Sequence, residues 1–254
     1  MESDSKIQSV ARALFIINTL AEARGELALN EIATRLSLAK STVHALISTL
    51  KDFGYIEQSD FAGKYRLGLR LFEVGQIVAQ GWEVRAVAAP YITKLLEQLL
   101  ETVHLAVIDK LEVLYIDKRE SGRSLRIVSQ VGMRLPAHCT GVGKVLMAYL
   151  SPEERAELIN GKGLSRFTKN TLTDVKTLED ELTRIRMQGF AIDNEEIMDG
   201  LRCVAAPIRD QTGKVISAIS LSGPVSRMEG EWFENAILSV TKTAKEISFG
   251  LGYR

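Results

Sequence analysis

Residues 28–56 read Ala28-Leu-Asn-Glu-Ile-Ala-Thr-Arg-Leu-Ser-Leu-Ala-Lys-Ser-Thr-Val-His-Ala-Leu-Ile-Ser-Thr-Leu-Lys-Asp-Phe-Gly-Tyr-Ile56. Leu29, Ile32, Ala33 and Leu36 recur at the spacing of one helical face, which predicts a short helix that buries a narrow stripe. Leu36-Ser37-Leu38 breaks that period. A second stripe, Val43, Leu46, Ile47 and Leu50, ends at Gly54, a residue suited to a left-handed cap. Two short helices joined by so tight a turn are the pattern of a helix-turn-helix.

The second helix opens with Lys40, Ser41 and Thr42, followed by His44, all off its apolar stripe. A cation, two hydroxyls and an imidazole on one free face can bond phosphates and base edges in a major groove. The competing reading is a solvated helix start with Ser41 and Thr42 as local caps. Downstream, Tyr55 to Gln58 and Lys64 to Leu67 read as strands around the turn Ser59-Asp60-Phe61-Ala62-Gly63. A hairpin directly after such a helix is a wing, with Lys64 and Arg66 as its cations. Between Arg35 and Arg70 the bases outnumber the acids modestly, and they lie where phosphates would be.

The 254-residue chain has a formal net charge of +0, so any affinity for nucleic acid rests on local patches. Its 46% hydrophobic and 25% charged content is that of a soluble globular protein of one or two domains. Cys139 and Cys203 are the only cysteines. They form no disulfide framework and suit a reducing, cytoplasmic setting. No long apolar run predicts a membrane span.

Upstream, residues 1–8 read as a frayed start. Ser9 caps a predicted helix whose buried face is Val10, Ala13, Leu14, Ile17 and Leu20, and Gly25 ends it. After the wing, Leu67, Leu69, Leu71, Phe72, Val74, Ile77 and Val78 form an apolar linker helix over 69–81. So apolar a segment must be covered, by a second subunit or by the rest of the chain. Gly81 breaks it, and a longer helix runs from Trp82 to Leu100, with Pro90 as a kink or a new first turn.

From Thr102 the period changes. Strands are predicted at 103–108, 113–116, 125–128, 203–209 and 215–221. Helices are predicted at 141–150, from Ser151-Pro152-Glu153-Glu154 onward, at 177–188 and at 232–249. This order predicts an α+β domain with a mainly antiparallel sheet. The domains read as 1–68, 69–81 and 82–254.

Four stretches of this second half carry candidate chemistry. His138-Cys139-Thr140-Gly141-Val142-Gly143-Lys144 lacks the full phosphate-loop spacing, and no nucleotide or other cofactor is expected. It presents backbone N–H groups at a helix start; alternatively, Gly141 and Gly143 only permit close packing. Cys203 sits at a strand start as a structural thiol, or as a nucleophile with His104 or His138 as base. A zinc site from His138, Cys139, Asp193 and Cys203 can be drawn, but its spacings match no metal motif. Asp193-Asn194-Glu195-Glu196 reads as a solvated acidic turn. Ser220 and Ser222 point to one face of a strand, as cavity hydroxyls or as small fillers.

Taken together, Lys-Ser-Thr-Val-His in the second helix, the wing, Leu-Gly-Leu-Arg-Leu at 67–71, the glycine-rich loop, Gly-Leu-Arg-Cys-Val-Ala-Ala-Pro at 200–207 and Ile-Ser-Leu-Ser-Gly-Pro at 219–224 resemble an IclR-type bacterial transcriptional regulator. Ala45 departs from the arginine that many members carry after the recognition-helix histidine. The resemblance implies a winged helix-turn-helix, a dimerising linker helix and a GAF-like effector domain. It implies a regulator, not an enzyme, that binds double-stranded operator DNA as a dimer or dimer of dimers and answers to a small carboxylic acid from a catabolic pathway. Carried over, the effector positions are Gly141, Val142, Asp193, Cys203, Ser220 and Ser222. Two alternatives stand beside this reading: an enzyme using Cys203, and a regulator whose C-terminal domain only oligomerises.

Overall fold

The computed structural model describes residues 7–59, 63–80, 83–109, 112–120, 122 and 129–254. They divide into two compact units, Met1–Gly81 and Trp82–Arg254. The expected strand at 125–128, the Gly81 break, the Trp82 helix start, residues 60–62 of the wing turn and most of the frayed start lie outside the described residues.

The first unit runs α1 (Gln8–Ala23), α2 (Leu29–Leu36), α3 (Lys40–Asp52), β1 (Ile56–Gln58), β2 (Tyr65–Leu67) and α4 (Leu69–Gln80). Ile32 and Ala33 of α2 and Val43 and Ile47 of α3 interlock with Ile16, Leu20, Leu27, Ile56 and Tyr65 in one apolar core. The turn between α2 and α3 is closed by Ser37 in the left-handed region (φ 53), whose N–H reaches Ala33 and Thr34 carbonyls. β1 and β2 pair antiparallel, Glu57 opposite Arg66, and Leu27 adds an isolated bridge to Tyr65. The chain leaves this hairpin through Gly68, where a Cβ would stand 2.2 Å from the Gly54 carbonyl oxygen.

The buried face of α1 differs from the sequence expectation. Ile7, not Ser9, precedes the first turn, and it makes no side-chain cap. Ile16, Thr19 and Leu20 are buried, whereas Val10 and Leu14 are 54% and 55% exposed. Apolar residues occupy more than one face of this helix, so periodicity alone does not decide which face turns inward. Among the described side chains of α4 none is buried, and Leu69, Phe72, Ile77 and Val78 stand in the open.

The second unit runs α5 (Glu83–Leu99), β3 (Thr102–Asp109), β4 (Glu112–Arg119), β5 (Arg134–Leu135), α6 (Gly141–Ala148), α7 (Pro152–Lys162), α8 (Val175–Gln188), β6 (Ala191–Asn194), β7 (Leu201–Arg209), β8 (Val215–Pro224) and α9 (Gly230–Gly250). The helix α5 continues through Pro90. The strands form one sheet in the order β5-β4-β3-β8-β7-β6, every neighbouring pair antiparallel. β5 and β6 were not expected as strands: two and four residues are too short to show a period.

Strand alternation assigns the two faces of the sheet opposite tasks. Val103, Leu105, Val204, Ala206, Ile208, Ile219 and Leu221 meet α5 and α9 in one core. The intervening residues His104, Ala106, Cys203, Ala205, Ala218, Ser220 and Ser222 face the other way, where Ala106, Ala205 and Ala218 pack with α6, α7 and α8. All eight residues of α6 are buried. Gly141 meets the sheet, where a Cβ would stand 3.3 Å from the Ala205 Cβ, and Gly143 lets the preceding turn fold against α6, since a Cβ there would lie 2.2 Å from the Ala137 carbonyl oxygen. Among the described residues no helix is long and apolar enough to cross a membrane.

Candidate functional site

The side chains facing α6 are too small to fill the layer beneath it, and a cavity of about 220 Å³ remains. Gly141, Val142, Asp193, Cys203, Ser220 and Ser222 all line it. Register explains why: Asp193 lies opposite Cys203 and Cys203 opposite Ser222, a single row across β6, β7 and β8. Ser220 lies one pleat along, opposite His104 of β3. All four are buried, Asp193 to 1% exposure.

One wall is the start of α6. Thr140 caps it, its hydroxyl accepting from Gly143 N–H at 3.2 Å, and the first helical bond runs from Lys144 N–H to the Thr140 carbonyl. Gly141 and Val142 precede that bond, so their N–H groups have no partner within the helix. With the helix dipole they form a site for negative charge. The packing reading holds for Gly141 against Ala205, whereas Gly143 packs against its own preceding turn, and packing and anion binding are compatible. Lys144 is no phosphate lysine: its Nζ is buried, bonded to the Ile192 carbonyl at 2.6 Å and to Glu196 Oε1.

The acidic run 193–196 is not the solvated turn expected. Asp193 and Glu196 are both buried, because Lys144, distant in sequence, meets Glu196, and Glu196 N–H donates to Asp193 Oδ1 at 2.8 Å. Asp193 Oδ2 keeps no hydrogen-bond partner among the described residues. The Cys203 thiol is near it, but a thiol is a weak donor. Burial, reinforced by the Glu196 charge, lifts the Asp193 carboxyl to about 7 despite the Glu196 N–H and Lys144.

Other lining residues were not foreseen as effector positions. His104 stacks on Tyr115, ring centroids 4.6 Å apart. Its Nε2 meets Ser129 Oγ at 2.8 Å and its Nδ1 meets Ser222 Oγ at 3.5 Å. Burial, with the Lys118 cation beyond, depresses its pKa to about 3, so the imidazole is neutral. Met133, Leu135, Ile197, Met198 and Leu201 complete an apolar wall. The alternation that marked Ser220 and Ser222 equally marks His104, its partner across β3 and β8; only the pairing, absent from sequence, singles it out.

The nucleophile and zinc readings of Cys203 find no support among the described residues. Cys203 is raised well above an ordinary thiol, by burial first and by Asp193 next, while His104 is a neutral, weak base. No thiolate is available for attack. His138 turns to the Ser165 carbonyl at 3.0 Å. Among the described residues no group of three or more His, Cys, Asp or Glu side chains is placed to hold a metal ion.

On the first unit, Lys40, Ser41 and His44 are exposed and Thr42 is half-buried on the outer side of α3. Ser41 and Thr42 do not cap: the N-cap is Ala39, without a side-chain bond. Lys64 is exposed and has no ion-pair partner among the described residues, but Arg66 is tied to Glu57 Oε2 at 3.1 Å and lies 3.6 Å from Glu26.

Residues 9–60 match the model of the IclR helix-turn-helix domain, and residues 76–249 match that of the bacterial transcriptional regulator IclR C-terminal domain. The chain belongs to the IclR family. The transcriptional regulator XynR of Escherichia coli K12 is 38% identical over 97% of this chain and 98% of its own. The transcriptional repressor IclR of the same organism is 34% identical over 97% and 91%. Among solved structures, Thermotoga maritima IclR superposes with a TM-score of 0.82 at 30% identity, over 98% of this chain and 100% of that one. An IclR homologue of Microbacterium hydrocarbonoxydans, complexed with 4-hydroxybenzoate, gives 0.87 at 27% identity over 96% and 99%. This IclR chain is a DNA-binding transcriptional regulator, and its relatives are regulators, not enzymes.

Proposed function

We propose that this regulator holds a small carboxylic acid in the cavity beneath α6 and changes its grip on operator DNA in response, controlling catabolic genes from the cytoplasm. The observation that carries the reading is one buried cavity with helix-start N–H groups, two serine hydroxyls and an unpartnered carboxyl oxygen on its walls. The N–H groups of Gly141 and Val142 with the hydroxyls of Ser220 and Ser222 bind the carboxylate; Asp193 and Cys203 face its second polar group. Apolar cavities of about 150 Å³ take benzene, so about 220 Å³ accepts a ring or a short branched chain with its acid group. A purely oligomeric role for the second unit would give such a cavity nothing to do.

The DNA-reading set is Lys40, Ser41, Thr42 and His44 in the major groove, with Lys64 and Arg66 on phosphate. Domain limits of 1–68, 69–81 and 82–254 follow from this division of labour, with α4 joining two copies into a dimer, or a dimer of dimers. Ser220→Ala with Ser222→Ala removes two charge-assisted bonds, worth about 1.5–3 kcal/mol each. The expected outcome is loss of the ligand response in operator gel shifts, with ligand-free operator binding near normal. A double variant that responds at the same ligand concentration places the pocket elsewhere.

A further inference from the structure

Among the described residues, the cavity that Asp193 shares with the helix start offers no counter-charge for a second anion. Its described lining residues include no lysine or arginine, and His104 is neutral. The described titratable groups near Asp193 leave that deficit in place. Glu196, on the turn after β6, is a further carboxylate; Lys144 of α6 is already shared between Glu196 and Glu181. Cys203 of β7, Tyr115 of β4 and Cys139 ahead of α6 all have their ionised forms disfavoured by burial and by Asp193. A ligand carboxylate set on the Gly141 and Val142 N–H groups thus meets a buried carboxyl whose outer oxygen has no donor. Two anions there repel without water or a cation between them.

We propose that the effector enters this cavity together with one proton, which resides on Asp193 Oδ2 and is donated to an oxygen of the ligand. This rests on the reading of the cavity as the effector site and narrows the ligand class. The group beside the acid is an acceptor oxygen, as in a 2-hydroxy or 2-oxo acid, and not an ammonium. An ammonium would keep Asp193 ionised and need no proton. Oδ1 is already committed as acceptor to Glu196 N–H, so the proton belongs on the oxygen that faces the cavity. The carboxyl of the free protein, near 7, is close to half protonated at neutral pH and protonates at small cost.

The test is titration calorimetry of the full chain with lactate, pyruvate and alanine, and with phenyllactate, phenylpyruvate and phenylalanine. Each is run in Mes and Bis-Tris at pH 6 and in Hepes and Tris at pH 8, so that the buffer difference counts protons. Hydroxy or oxo acids are expected to bind with uptake of nearly one proton at pH 8 and little at pH 6. Their Kd should rise about tenfold between those pH values, as linkage to a group near 7 requires. In Asp193→Asn the side-chain amide stands in for the protonated acid: it donates to the ligand and accepts from Glu196. Binding should persist there, with no proton uptake and a flat Kd. Uptake near zero in the wild type at pH 8, tighter binding of the amino acids, or binding by none of the six overturns the proposal. Binding that survives Ser220→Ala with Ser222→Ala overturns the cavity assignment itself. Binding lost in that variant, with no uptake in the wild type, overturns the proton alone.

Discussion

Asp193 and His104 border one cavity, and burial drives their titrations in opposite directions. For Asp193 the folded-state value lies above the unfolded one, so the folded protein holds the extra proton, and stability falls as pH rises from about 4 to about 7. For His104 the folded value, about 3, lies below the unfolded one, and stability rises with pH up to about 6.5. Each slope is about 1.4 kcal/mol per pH unit, and between pH 4 and 6.5 they cancel. Ligand-free Asp193→Asn should therefore show a thermal midpoint that climbs from pH 4.5 to 6.5, and His104→Asn one that falls. Parallel profiles for both variants would mean that neither group titrates as its burial requires. Sequence named Asp193 but misread it as solvated, because the cation that draws its turn inward is Lys144, 49 residues from Asp193 in the chain and in contact only once β6 has formed.

Among elements, α3 was legible almost to the residue. It is amphipathic, its apolar stripe has one partner surface, and Gly54 stops it (φ +74). α1 was not, since its exposed apolar residues imitate a buried stripe. The six proposed effector positions came partly from strand alternation, which is local, and partly from family likeness; their meeting in one cavity depends on the order β3-β8-β7-β6, which no spacing reveals. The wing offers the sharper test. Lys64 is open, whereas Arg66 must exchange Glu57 for phosphate. Lys64→Ala should reduce the salt dependence of operator binding by about one unit of log–log slope per lost phosphate contact. Arg66→Ala should reduce it less, while weakening binding through the Glu57 carboxylate left unpaired. An unchanged slope in the double variant would remove the wing from the interface.

The chain is two units, one with its recognition helix exposed and one with a cavity walled by buried residues. Besides Val10, Leu14 and Phe15 of α1, a single chain leaves α4 uncovered, with Phe72 at 64% and Ile77 at 66% exposure. Water tolerates scattered apolar residues but not a helix face of them, and a two-fold partner hides the same face on both copies at once. Leu71→Glu, Phe72→Glu or Ile77→Glu should each yield a monomer by sedimentation and at least a tenfold loss of affinity for a palindromic operator. A dimer that persists locates the interface elsewhere. The division of the sheet into a bulky face and a small face has a further consequence, one for descent. Exchanging Cys203, Ser220 or Ser222 for a neighbour in size alters the cavity at the start of α6 and leaves the core with α5 and α9 untouched. Such a scaffold can pass through many chemical diets, one side chain at a time, without its lineage ever losing a folded regulator.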